Sequence, residues 1–158
     1  METSNGTLMQ IVLAEDNSAD VMLVRLALES AGIHCDLHIL DDGEKAIAFI
    51  EELDASPQSR PVDLLLLDMH LPKRDGDEIL KRLRSADHYA QTPVIVMTAS
   101  DAPRDHDQAK KHAAMHYFRK PSNLAEYMQL GVIVRDLLNS QPSAAQDADA
   151  LATGRTKE

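Results

Sequence analysis

Residues 63–69, DLLLLDM, decide the fold class of this chain. Four consecutive leucines stand there between two aspartates, without the alternation of polar and apolar residues that marks a half-exposed strand. An uninterrupted apolar run of this kind indicates a strand that is buried on both faces, as in a parallel sheet. We therefore predict a central parallel strand that ends at Asp68.

Similar runs lie on both sides of this strand. Residues 93–100, PVIVMTAS, and residues 8–15, LMQIVLAE, predict two more strands, and the less apolar residues 35–40 and 115–119 predict another two. Helical patterns separate these strands and follow the last one, over about 18–31, 44–53, 77–85, 103–113 and 123–139. Strands that alternate with helices predict an α/β fold, here a doubly wound five-stranded parallel sheet with helices on both faces.

The length and composition of the chain fit one such domain. Its 158 residues lie within the roughly 100–200 residues that one domain usually takes. We predict the domain over residues 8–139, preceded by an N-terminal extension, residues 1–7. Residues 140–158 are rich in Ala, Ser, Asp, Gln and Thr with one leucine, and we expect a disordered tail there.

The charge balance excludes several classes of partner. A net charge of −10 argues against binding to nucleic acid or to an anionic membrane, because both rely on Lys and Arg.

The single cysteine, Cys35, excludes an internal disulfide framework. Because the sequence shows no secretory signal and no apolar run of ~20 residues, we expect a cytoplasmic protein.

Four of the five predicted strands are followed by residues that could form a site. Glu15 and Asp16 follow the first strand, Asp68 ends the third, Thr98 the fourth, and Lys120 follows the fifth. The carboxyl ends of parallel strands meet at one edge of the sheet, where ligands bind. Three adjacent carboxylates favour a cation, and their hard oxygens suit Mg²⁺. A lysine and a hydroxyl beside them could bind a phosphoryl group. A carboxylate can itself attack such a group as the nucleophile and form an aspartyl-phosphate.

These motifs resemble those of response regulator receiver domains. The resemblance rests on the Glu15-Asp16 pair, on LLLLDMHLP at residues 64–72, on VMTAS at 96–100 and on YFRKP at 117–121. It covers about residues 9–139 and implies the flavodoxin-like strand order 2-1-3-4-5. One departure is the Glu-Asp pair, which stands where many receivers have Asp-Asp.

The resemblance implies a phosphorylation site and its metal. Asp68 would accept a phosphoryl group from a phosphohistidine of a histidine kinase. Asp16 and Asp68 would bind Mg²⁺ directly, Glu15 largely through water, and the backbone carbonyl of His70 would be a further ligand. The protein would thus be a phosphoacceptor that assists its own phosphorylation, and not an enzyme acting on another substrate.

The resemblance also implies residues that respond to the phosphoryl group. Thr98 would hydrogen-bond the phosphoryl group, and Lys120 would pair with it. Thr98 and Tyr117 would form the conformational switch. The peptide bond between Lys120 and Pro121 would be cis.

A subtype follows from two further segments. EDNSADVMLVRLALES at residues 15–30 and KPSNLAEY at residues 120–127 resemble small stand-alone receivers paired with phytochrome-type kinases, including the cyanobacterial phytochrome response regulators. The resemblance implies a bacteriophytochrome as a candidate kinase. Because only 19 residues follow Asn139, we expect the output to be protein–protein contact.

The periodicity of the last helix predicts a homodimer. One face, expected to pack on the sheet, carries Leu124, Tyr127, Met128, Gly131 and Leu138. A second apolar face, roughly opposite, carries Leu130, Ile133 and Leu137. An apolar stripe on both sides of a peripheral helix implies a partner. The alternative is that the tail or the preceding helix covers this second face.

Other functions remain as alternatives at this stage. One is a receiver-like module that binds partners without phosphate. Another is a phosphatase with an aspartate nucleophile, although such enzymes normally carry an acid two residues later, where this chain has His70. A third is an FMN carrier, against which EDNSAD at residues 15–20 places negative charge in the first loop.

Overall fold

A computed structural model of the protein describes residues 8–56 and 62–140. The predicted N-terminal extension and the tail beyond Ser140 lie outside these residues. Five parallel strands form one sheet in the order β2-β1-β3-β4-β5. Their bounds are β1 (Met9–Ala14), β2 (Cys35–Leu40), β3 (Leu64–Asp68), β4 (Val94–Thr98) and β5 (His116–Arg119). The predicted α/β class, the strand positions and the order 2-1-3-4-5 are confirmed.

The helices also lie where the periodicity placed them. Their bounds are α1 (Ser18–Ser30), α2 (Gly43–Ala55), α3 (Gly76–Arg84), α4 (Pro103–Lys111), α5 (Leu124–Tyr127) and α6 (Gln129–Ser140). The last predicted helix is thus divided at Met128 and reaches Ser140, which the sequence had assigned to the tail. Of the helices within the described residues, none has both the length and the apolar character needed to cross a membrane.

The sheet is buried on both faces. Leu65 and Leu67 of β3 belong to the core that packs under α2 and α3, whereas Leu64 and Leu66 belong to the core under α1 and α6. All four are at most 5% exposed. The leucine run is therefore apolar throughout because successive side chains of a strand point to opposite faces and here both faces are covered.

Helix caps bring the functional loops close to the strand ends. Asn17, Asp42, Asp75 and Asn123 each accept a hydrogen bond from a backbone N–H of the helix that follows, as good N-cap residues do. The loop from β1 to α1 therefore spans only residues 15–17. As a result, the first turn of α1 faces the same edge of the sheet as Glu15 and Asp16.

The predicted dimer face on the last helix needs correction. Leu130 is fully buried, and Ile133 and Leu137 are half-buried and pack against the same core. In contrast, Leu124, which we expected on the sheet, is 56% exposed. The two apolar stripes arise because α6 packs on α1 and also shares a core with the residues of β1, β3 and β4.

Gly131 explains how close α6 comes to α1. A Cβ atom at this position would lie 2.0 Å from the backbone oxygen of Ala27, which no side chain can tolerate. Helix α1 therefore packs against the face that carries Gly131, which the sequence assigned to the sheet.

Candidate functional site

The predicted site residues converge at the carboxyl edge of the sheet. Lys120 Nζ lies 2.6 Å from Glu15 Oε1 and 3.1 Å from Asp68 Oδ2. These residues come from positions directly after β1, at the end of β3 and directly after β5. The topology therefore joins Asp68 to a lysine 52 residues away, as the sequence analysis predicted.

An acidic group at this edge has the chemistry of a cation site. Glu15, Asp16 and Asp68 each offer a carboxylate oxygen, and these atoms lie within 4.8 Å of one another. Across residues 8–56 and 62–140, no other cluster of three or more His, Cys, Asp or Glu side chains has this arrangement. Oxygen donors from carboxylates are the ligands that Mg²⁺ prefers.

Glu15 supports this assignment most directly. Its side chain is 1% exposed, and its Oε1 is paired with Lys120 Nζ at 2.6 Å. Burial raises the pKa of Glu15 to about 7, the Asp68 carboxylate adds to this effect, and Lys120 opposes it. A buried carboxylate with a raised pKa and a second carboxylate beside it is stabilised in its charged form by a bound cation. The residues present therefore fit a divalent metal.

Lys120 is held as a cation by its surroundings. Its side chain is only 10% exposed, and burial by itself would lower its pKa. The carboxylates of Glu15, Asp68 and Asp20 outweigh burial and raise the pKa of Lys120 above its ordinary value. The ammonium group therefore stays charged beside Asp68.

Asp20 also belongs to the site, although it is not among the residues predicted there from the sequence. Its Oδ2 lies 3.2 Å from Lys120 Nζ, and its Oδ1 accepts a hydrogen bond from the Tyr127 hydroxyl at 3.0 Å. Tyr127 is 1% exposed, and burial, with Asp20 next, raises its pKa. Its position in the sequence could have indicated this role, because Asp20 stands in the first turn of a helix that begins at the site.

The two predicted switch residues meet at Ser100. Thr98, the last residue of β4, is fully buried, and its hydroxyl oxygen accepts a hydrogen bond from the backbone N–H of Ser100 at 3.1 Å. The Tyr117 hydroxyl donates to the backbone oxygen of Ser100 at 2.9 Å. The ring of Tyr117 also stacks on His106, with centroids 3.7 Å apart. One short loop thus connects Thr98 to the partly buried aromatic ring.

His70 links the Asp68 segment to helix α4. Its backbone N–H donates to Asp68 Oδ1 at 2.9 Å, and its ring Nε2 lies 2.7 Å from Asp105 Oδ2. Asp105 is 3% exposed, and the sequence analysis did not identify it. No spacing signal could have found this pair, because its two members are 35 residues apart and meet only in the tertiary structure.

One minor expectation, the cis bond before Pro121, can also be compared with the structure. There is no cis peptide bond in the described residues, so the bond before Pro121 is trans and the cis prediction is wrong. The trans form is also the intrinsic preference of a bond before proline, by about 0.5–1 kcal/mol. Cys35 is half-buried on β2, where burial raises its pKa. The backbone carbonyl of His70 as a metal ligand stays a prediction.

Comparisons with known proteins agree with this geometry. The family model of the response regulator receiver domain matches residues 11–130. Response regulator Rcp1 of Synechocystis sp. is 33% identical over 120 residues, which cover 76% of this chain and 82% of Rcp1.

Solved structures give the same result. The phosphorylated cyanobacterial phytochrome response regulator RcpA is 28% identical with a TM-score of 0.75, covering 87% of this chain and 98% of RcpA. The Mn²⁺-bound form of Rcp1 is 31% identical with a TM-score of 0.74, covering 84% of this chain and 96% of Rcp1. A family match over most of the described residues, with relatives of similar extent, shows that this chain belongs to the response regulator receiver domain family.

Proposed function

We propose that Asp68 is the phosphoacceptor of a two-component system and receives its phosphoryl group from a phosphohistidine of a sensor histidine kinase. The observation that carries this proposal is the position of the Asp68 carboxylate. It belongs to the acidic group with Glu15 and Asp16, and it also lies 3.1 Å from the Lys120 ammonium. A nucleophile between a cation site and a lysine is the arrangement that phosphoryl transfer requires.

The chain's own residues supply most of the chemistry of this step. A lone pair of the Asp68 carboxylate forms the new O–P bond while the N–P bond of the phosphohistidine breaks and its electron pair returns to the imidazole, which takes up a proton. Lys120 stabilises the negative charge of the transferring phosphoryl oxygens. Mg²⁺, held by Glu15, Asp16 and Asp68 with the His70 carbonyl as a further candidate ligand, would neutralise more of that charge.

The metal assignment is supported from two directions. The acidic group offers three carboxylate oxygens within 4.8 Å of one another, and a relative, Rcp1, has a structure described as Mn²⁺-bound. In this chain the metal would be Mg²⁺ or a similar hard divalent cation.

The response to phosphorylation would pass through Ser100. We propose that Thr98 turns toward the phosphoryl group and releases the backbone of Ser100, which also holds the Tyr117 hydroxyl. The new anion would thus shift an existing equilibrium between two arrangements of this loop. The output would be a change in protein–protein contact on the surface that contains Tyr117.

The partners are proposed from the relatives. Similarity to RcpA, which is described as a phytochrome response regulator, favours a phytochrome-type kinase as the phosphoryl donor. A homodimer through the last helix stays a prediction from the sequence, without Leu130 in its contact surface. Sedimentation equilibrium before and after phosphorylation tests it, and a monomer mass in both states would contradict it.

Intact-mass measurement tests the phosphoacceptor. Wild type incubated with acetyl phosphate and Mg²⁺ should gain one phosphoryl group, and this gain should disappear with a chelator and in Asp68→Asn. Asp107→Asn, which removes an exposed acid of α4, is the matched control and should behave as wild type. A gain in Asp68→Asn would mean that another side chain is the acceptor. Absence of any gain in wild type, even with candidate kinases, would favour a phosphate-independent binding module.

A further inference from the structure

Lys120 has more anionic partners than phosphoryl transfer to Asp68 explains. Its ammonium contacts three carboxylates, those of Glu15 at 2.6 Å, Asp68 at 3.1 Å and Asp20 at 3.2 Å. A lysine has three N–H donors, so each can address a separate carboxylate. Two of these carboxylates belong to the acidic group that fits a metal, whereas Asp20 does not.

This difference gives Asp20 a separate place in the reaction. Glu15 and Asp68 would share their oxygens with a cation, and Asp68 would also carry the phosphoryl group. Of the three carboxylates that contact Lys120, only Asp20 would take part neither in metal binding nor in phosphorylation. A lysine is a point charge on a flexible stem, so its position near the phosphoryl oxygens depends on such a fixed partner.

Tyr127 in turn fixes Asp20. The Tyr127 hydroxyl donates to Asp20 Oδ1 at 3.0 Å, while the other carboxylate oxygen faces Lys120. The Tyr127 ring is buried and makes an edge contact with Phe118, at a centroid distance of 5.7 Å. Phe118 precedes Lys120 by two residues on the same segment. The phenol is therefore held at a fixed place behind the site.

We infer that Asp20 is a positioning residue for phosphoryl transfer: Tyr127 holds the Asp20 carboxylate, and Asp20 holds the Lys120 ammonium beside Asp68. This inference rests on the proposed function, because it takes Asp68 as the phosphoacceptor. Asp20 touches neither the phosphoryl donor nor the acceptor oxygen and acts through Lys120. This role requires that the Asp20 carboxylate faces Lys120. A helix-dipole role would be met by any acid in the first turn of α1.

The test compares Asp20→Asn, Tyr127→Phe, the double variant and Glu44→Gln, with Asp16→Asn as the reference for loss of a metal ligand. Asparagine keeps the size of the side chain and an acceptor for Tyr127 but removes the charge that faces Lys120. Glu44 is an exposed first-turn acid of α2, so Glu44→Gln controls for the loss of a helix-dipole charge. The measurements are the rate of phosphorylation against acetyl phosphate concentration, the Mg²⁺ affinity from tyrosine fluorescence, and NMR of the Lys120 side chain without metal.

Asp20→Asn should lower the maximal phosphorylation rate roughly ten- to a hundredfold, the scale of a misplaced catalytic group. Its Mg²⁺ affinity should stay within about threefold of wild type, and Glu44→Gln should match wild type in both. Tyr127→Phe should lower the rate by a smaller factor, and the double variant should be no slower than Asp20→Asn, because Tyr127 acts through Asp20. In Asp20→Asn the Lys120 side chain should become more mobile.

Several results would overturn the inference. A wild-type rate in Asp20→Asn, or an unchanged Lys120 resonance, would show that Asp20 does not position the lysine. A loss of Mg²⁺ affinity equal to that of Asp16→Asn would make Asp20 a metal ligand instead. Multiplying effects in the double variant would mean that Tyr127 and Asp20 act separately. If wild type itself gains no phosphoryl group, the proposed function fails first, and the Lys120 resonance then reports on the contact alone.

Discussion

Replacement of Glu15 by glutamine is expected to stabilise the metal-free protein above pH 7 and to leave it nearly unchanged at pH 5. Burial raises the pKa of Glu15 to about 7 in the folded chain, against an ordinary value of 4.5. A carboxyl group with a raised folded-state pKa contributes its full stability below pH 4.5 and loses that contribution as the pH rises through 7. Glutamine is neutral at every pH and therefore removes this dependence.

The magnitude follows from the two pKa values. Each tenfold difference in proton affinity corresponds to ~1.4 kcal/mol, so a pKa near 7 instead of 4.5 sets a ceiling of about 3 kcal/mol on the effect. Asp16 beside Glu15 is exposed, so water reaches the site and screens part of this energy. We therefore expect a difference of about 1–3 kcal/mol between the variant and wild type at pH 8.

Urea unfolding in a chelating buffer at pH 5, 6, 7 and 8 measures this difference. Comparison of Glu15→Gln with wild type at each pH cancels the contributions of histidines and other carboxylates. Saturating Mg²⁺ should restore the stability of wild type at pH 8, because a ligand that binds only the folded state stabilises it, and should restore less in the variant. Parallel pH dependences in the chelating buffer would refute the assignment of Glu15 as the buried, destabilising carboxylate of this site.

Three further predictions concern packing and backbone contacts, all measured by urea unfolding. Gly131→Ala should destabilise the protein by about 1–3 kcal/mol, since its Cβ would lie 2.0 Å from the oxygen of Ala27; an unchanged midpoint would mean that α6 can move away from α1. Leu130→Ala should lower the free energy of unfolding by about 2–5 kcal/mol because Leu130 is fully buried. Leu137→Ala should lower it clearly less because Leu137 is half-buried, and equal losses would contradict this difference in burial. Arg84→Lys should lower the free energy of unfolding by about 2–3 kcal/mol, since lysine cannot replace the guanidinium donors that bind four backbone carbonyls. A loss below about 0.5 kcal/mol would show that water replaces these donors.

The fold class of this protein and the place of its site can be predicted from local sequence patterns. The leucine run before Asp68 is apolar at every position because both faces of a parallel strand are covered, and this fact alone indicates the fold class. Once the strands are parallel, their carboxyl ends must share one edge. The convergence of Asp68 and Lys120 was therefore predictable without any knowledge of distances, since topology brings them together.

The sequence determined the elements, the strand edge that carries the site and the residue types that meet there. Only the tertiary structure decided which side chains touch. Asp105 is paired with His70, and Asp20 stands between Lys120 and Tyr127. Periodicity likewise showed two apolar faces on the last helix but could not show that Leu130, on the second face, is buried in a core that also contains residues of α1. The reason is that spacing along the chain reports which way a side chain points on its own element, whereas its burial and its partners depend on what another element places opposite it.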